Sequence, residues 1–80
     1  MPKISLPRYD DIVLAANRLE GFIKHTPVLT CSEIDNVLGC EVFFKCENLQ
    51  KSGAFKYRGG SNALLSLSEQ QRQTGVFTVS

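Results

Sequence analysis

Lys56 sits in the run Glu47-Asn48-Leu49-Gln50-Lys51-Ser52-Gly53-Ala54-Phe55-Lys56-Tyr57-Arg58-Gly59. An apolar strand pattern enters a short polar loop containing one glycine, and the loop enters a helix with Lys56 in its first turn. The positive end of the helix dipole disfavours an ammonium there. An apolar neighbour, Phe55, disfavours it further. Both effects favour a neutral amine, the form that attacks a carbonyl to make a Schiff base.

The elements that must place this lysine follow from periodicity. Residues 1–8 read as an arm punctuated by Pro2 and Pro7, after which Asp10 or Asp11 can cap a helix. Ile12, Ala15, Ala16, Leu19, Phe22 and Ile23 recur at helical spacing, so this helix is expected to run to about residue 23. His25-Thr26-Pro27 stops it, and Val28-Leu29-Thr30 is a short extended piece. Ser32 can cap a small helix through Leu38, with Gly39 as its stop. Glu41 to Glu47 reads as a strand, with Val42, Phe44 and Cys46 on one face and Phe43 and Lys45 on the other. The loop from Asn48 to Ala54 follows, with Asn48 and Ser52 as its ordering and capping residues. A helix from Phe55 to about Leu67 carries an apolar stripe of Ala63, Leu64 and Leu67. Ser68 opens a further short helix, Gly75 breaks it, and Val76 to Val79 forms a second apolar strand.

Strand, helix and strand joined by short links make a βαβ unit, with parallel strands and a right-handed crossover. A lone parallel pair buried on both faces does not stand by itself. Residues 1–80 therefore read as one incomplete segment, the opening part of a larger α/β domain cut at Ser80. With 80 residues the chain is small for a catalytic domain. Its 42% hydrophobic and 21% charged residues are those of an ordinary soluble globular protein. A net charge of +1 creates no basic field, which argues against nucleic acid and anionic membrane as partners. Cys31, Cys40 and Cys46 are an odd set without C-x-x-C spacing, expected as reduced thiols and small apolar fillers in a cytoplasmic protein. The single His25 completes no metal set. The N-terminus shows no apolar signal-peptide core.

The run Phe43 to Gly59 closely resembles the cofactor-lysine segment of pyridoxal-phosphate-dependent serine/threonine dehydratases (ammonia-lyases) and serine racemases, of the tryptophan-synthase-β-like fold (fold type II). Tyr9-Asp10-Asp11-Ile12 and His25-Thr26-Pro27-Val28-Leu29 resemble the family's opening helix and Thr-Pro segment. The resemblance implies that Lys56 forms the Schiff base with pyridoxal 5'-phosphate and that Phe55 packs on the face of its ring. Ser80 matches the first residue of a Ser/Ala-Ser/Ala-Gly-Asn-His segment. The phosphate cup and the divalent-cation ligands lie farther along in the family. In its nucleotide-stimulated racemases, positions matching Cys31, Ser32, Glu33, Lys51 and Ser52 help form an ATP site at a subunit interface. Ser32, Lys51 and Ser52 keep suitable chemistry, whereas Glu33 opposes phosphate with its charge. Arg58 is expected as a structural ion-pair residue, and Gly59 and Gly60 as points of close helix–strand packing.

The implied activity is conversion of L-threonine or L-serine to a 2-oxo acid and ammonia by the full-length family member, a homo-oligomer, with this chain alone inactive. Serine racemase is the alternative within enzymes. A non-catalytic truncated product that acts by pairing its sheet edge with a partner is the alternative from another class.

Overall fold

The computed structural model describes residues 5–79. The expected strand at 76–79 lies within them, whereas the Ser80 correspondence and the start of the N-terminal arm lie outside. Helix α1 spans Tyr9–Leu19. It starts slightly earlier than Asp10 and Asp11 suggested, because Asp11 caps from inside the first turn. Its Oδ2 accepts from the Arg8 backbone N–H at 2.7 Å, and its charge suits the positive helix end. The helix stops at Leu19 rather than residue 23. Glu20 turns to φ −56°, ψ 129°, so Phe22 and Ile23 fall outside it.

Strand β1 (Val28–Leu29) precedes helix α2 (Ser32–Leu38), whose first residue follows Cys31 at the cap position. Gly39 ends α2 as expected, in the left-handed conformation at φ 71°. Strand β2 is only Phe44–Lys45, because Glu47 already enters a 3-10 turn, Glu47–Leu49. A second such turn, Lys51–Gly53, leads into helix α3 (Lys56–Leu65). Helix α4 (Glu69–Thr74) has a reciprocal cap: Gln71 N–H donates to Ser68 Oγ at 3.2 Å, and Ser68 N–H donates to Gln71 Oε1 at 2.9 Å.

The parallel βαβ pairing does not form among the described residues. The observed ladder is antiparallel, β1 against β2, with Val28 opposite Lys45 and Leu29 opposite Phe44. Residues 76–79 instead run along α3, where Val76, Phe77 and Thr78 share a groove with Gly60, Ala63, Leu64 and Leu67. A parallel pair needs cover on both faces, and these residues lack it: Phe77 is 96% exposed.

Helix α3 carries two opposed stripes. Arg58, Ser61, Asn62 and Leu65 repeat at i, i+3, i+4 and i+7 and are half-buried on the side facing α1. There Arg18 Nη1 donates to Asn62 Oδ1 at 2.6 Å. The expected apolar stripe, Ala63, Leu64 and Leu67, lies on the other side and lines the open groove. Leu19 is the one buried hydrophobic residue among those described, while Ile12, Leu14 and Leu64 are exposed. None of the three cysteines is buried, so they are not core fillers. The radius of gyration is 16.9 Å, against about 12 Å for a compact chain of this length. The accessible surface of 7156 Å² likewise exceeds the roughly 4,800 Å² of a globular monomer of this mass.

So much uncovered apolar surface predicts that the isolated 80-residue chain self-associates or unfolds without a sharp transition. Sedimentation and thermal melting check this, and a monomer with a steep two-state melt would contradict it.

Candidate functional site

The segment from Phe22 to Pro27 is gripped from several directions by residues 45–58. Buried Gln50 makes a two-way amide pair with Lys24: Lys24 N–H donates to Gln50 Oε1 and Gln50 Nε2 donates to the Lys24 carbonyl, both at 2.8 Å. Lys51 Nζ donates to the Phe22 carbonyl at 3.0 Å, and Lys45 Nζ to the Thr26 carbonyl at 2.5 Å. Cys46 N–H donates to the Pro27 carbonyl at 3.0 Å.

Glu47 is the node of this network. Buried Thr26 donates through Oγ1 to Glu47 Oε2 at 2.5 Å. Arg58 donates from Nε to Glu47 Oε1, and from Nη2 to Glu47 Oε2 at 3.1 Å. Arg58 Nη2 also reaches the Lys24 carbonyl at 3.4 Å. The ion-pair role expected of Arg58 is therefore what the structure has. The Arg58 guanidinium, followed by the Thr26 hydroxyl, lowers the Glu47 carboxyl to about 2 from 4.5. The hydrogen bond to Glu47 in turn raises Arg58.

The loop that this ion pair closes delivers Lys56. Within it, Ser52 (φ 67°) and Gly53 (φ 70°) both adopt left-handed backbone. Ser52 does not cap α3, and neither does Asn48. Phe55 occupies the position before the helix in helical geometry, without a side-chain cap. Lys56 then faces an open cleft of about 520 Å³ lined by Phe55, Lys56, Gly59, Gly60, Thr78 and Val79. The Phe55 ring is 68% exposed and free to receive a flat partner. Lys56, Gly59 and Gly60 share one helix face. A Cβ at either glycine would meet nothing within 4 Å, so close helix–strand packing is not their role here. They leave a bare wall beside the amine.

The candidate nucleotide residues are spread out. Ser32 opens α2, Ser52 lies in the left-handed turn, and the Lys51 ammonium is engaged by Phe22. No hydrogen bond joins these three side chains among the described residues. His25 Nε2 lies 3.5 Å from Glu20 Oε1, with both side chains exposed.

A cleft offering one primary amine, one open aromatic face and two positions without side chains fits a flat aromatic aldehyde. Residues 19–80 match the family model described as pyridoxal-phosphate-dependent enzyme, and the chain belongs to that family. It is 55% identical over 75 residues to serine racemase of Schizosaccharomyces pombe, covering 94% of this chain and 23% of that protein. It is 49% identical over 77 residues to L-threo-3-hydroxyaspartate ammonia-lyase of a Pseudomonas species, covering 96% and 24%. The structure of maize serine racemase superposes with a TM-score of 0.77 at 42% identity, over 84% of this chain and 21% of that one. The chain thus spans about a quarter of the length of these relatives.

The sequence reading missed the node formed by Thr26, Glu47 and Gln50. The legible signal was a pair of opposite charges, Glu47 and Arg58, at the two ends of one short loop. Thr26 had no local signal, because its partner is distant in sequence.

Two predictions follow from this geometry. Glu47 has a folded pKa below its unfolded one, so its stabilising contribution is complete above about pH 4.5 and is lost as pH falls toward about 2. Acid unfolding of Glu47→Gln against wild type should show a stability gap at neutral pH that closes across that window. Separately, Gly53→Ala should cost about 1–2 kcal/mol through left-handed strain, whereas Gly60→Ala should gain about 1 kcal/mol of helix propensity. Denaturant melts of both variants of the intact protein check the opposite signs.

Proposed function

We propose that the intact protein is a hydroxy-amino-acid ammonia-lyase that uses pyridoxal phosphate. The observation that carries this reading is the Lys56 amine in an open cleft beside the exposed ring of Phe55 and the bare wall of Gly59 and Gly60. Lys56 would hold the cofactor covalently through Nζ, and Phe55 would cover one face of its ring. When bound, the cofactor supplies an electron sink for charge developing at the substrate Cα.

Lys56 then has a second task. Its Nζ, when not bonded to the cofactor, would be the base that takes the Cα proton. The backbone of α3 fixes where that nitrogen can reach, and the glycine wall leaves room for the substrate beside it. Loss of the β-hydroxyl after proton removal gives, on hydrolysis, a 2-oxo acid and ammonia.

A second reading, serine racemase, is favoured by the 55% identity to the fission-yeast enzyme. It shares proton removal by Lys56 and differs in returning a proton to the opposite face of Cα. Similarity to the 3-hydroxyaspartate ammonia-lyase adds that amino acid to serine and threonine as a substrate to test.

The test is an assay of the intact protein with L-serine, L-threonine and L-threo-3-hydroxyaspartate, following 2-oxo acid, ammonia and D-serine. Ammonia release that disappears in Lys56→Ala, by at least about 10³-fold, is the expected result. D-serine as the main product would install the racemase reading. Undiminished turnover in Lys56→Ala would overturn both.

A further inference from the structure

We infer that Arg58, clasped by Glu47, is a positioning residue that presents Lys56 to the cleft, an inference that rests on Lys56 being the cofactor-bonding lysine. Residues two apart on a helix point about 200° away from each other. Arg58 accordingly lies on the α1-facing stripe and Lys56 on the open one. Lys56 Nζ makes no hydrogen bond among the described residues, so its location is set by the backbone of the first turn of α3.

That turn holds itself weakly. It has no side-chain cap, and its first backbone bonds span three residues: Tyr57 N–H to the Ala54 carbonyl at 3.4 Å and Arg58 N–H to the Phe55 carbonyl at 3.2 Å. The loop before it contains two successive left-handed residues, Ser52 and Gly53. The strong tie on the turn is the Arg58 fork. It grips both oxygens of Glu47 and the Lys24 carbonyl, while Thr26 holds the same carboxylate and Gln50 holds the same Lys24 backbone. Glu47 and Arg58 thus close the loop at its two ends, and Lys56 lies just inside the closure. A lysine in place of Arg58 keeps the charge but lacks the planar fork, so it holds the turn less well.

The experiment measures covalent labelling rather than turnover. The intact protein, freed of cofactor, is mixed with pyridoxal phosphate, trapped with borohydride at timed intervals, and mapped by mass spectrometry for the adduct on Lys56. Wild type is compared with Arg58→Ala, Arg58→Lys and Arg18→Ala. Arg18→Ala removes the side-chain hydrogen bond that joins α1 to α3, the one to Asn62, and reports general loss of packing. Each rate is expressed per folded molecule, from circular dichroism below the melting transition.

The expected result is Lys56 labelling slowed about ten-fold in Arg58→Ala, less in Arg58→Lys, and unchanged in Arg18→Ala. If Arg58→Ala does not fold, the comparison of Arg58→Lys with Arg18→Ala decides. Labelling at the wild-type rate in the Arg58 variants, or equal slowing in Arg18→Ala, overturns the positioning role and leaves the cofactor lysine standing. No labelling of Lys56 in wild type overturns the parent reading, and this inference with it.

Discussion

The Glu47 carboxylate is the contact on which the arrangement depends. It accepts from Thr26 on one side and Arg58 on the other, joining the segment before β1, the loop after β2 and the start of α3. The described part of the chain has almost no apolar interior, with Leu19 its one buried hydrophobic residue. Polar ties therefore do locally what a core does elsewhere. Buried polar groups are costly when unpaired, and here no buried side-chain nitrogen or oxygen among the described residues lacks a partner. Removing either member of the Glu47–Arg58 pair would leave the other half-buried and without its counter-charge.

This node gives α3 a back and a front. The back carries Arg58, which holds Glu47, and Asn62, which accepts from Arg18 of α1. The front begins at Lys56 and continues through Gly59, Gly60, Ala63, Leu64 and Leu67, open along its length. Lys56 stands at the head of this open groove, with Gly59 and Gly60 on the same helix face. The uncovered groove and the extended segment 76–79 beside it also explain why the surface is so large for the mass. Family membership rests on residues 19–80, and the fold is that of serine racemases over the stretch they share.

Much of this was readable from residue order alone. Gly39 and the short helix opened by Ser68 were legible because each is a local signal, decided within one or two turns of chain, and the helix expected from Phe55 to about Leu67 was placed to within two residues at each end. The family was legible because the residue types of the run Phe43 to Gly59 are specific in combination. The parallel strand pair expected of residues 41–47 and 76–79 is not formed among the described residues, because such a pair depends on what covers each face, which periodicity does not report. The apolar stripe of Ala63, Leu64 and Leu67 was legible, but not that α1 would face the opposite stripe, where Arg18 bonds Asn62. The glycines at 59 and 60 looked like packing contacts, and only the empty space above them showed a wall.

The measurement that bears most directly on the central claim is a site map of the intact protein as purified, reduced with borohydride and digested. The account predicts one pyridoxyl adduct, on Lys56, with Lys24, Lys45 and Lys51 unmodified because their amines lie outside the cleft. An adduct on another lysine, or labels scattered across several while Lys56 stays bare, would contradict it.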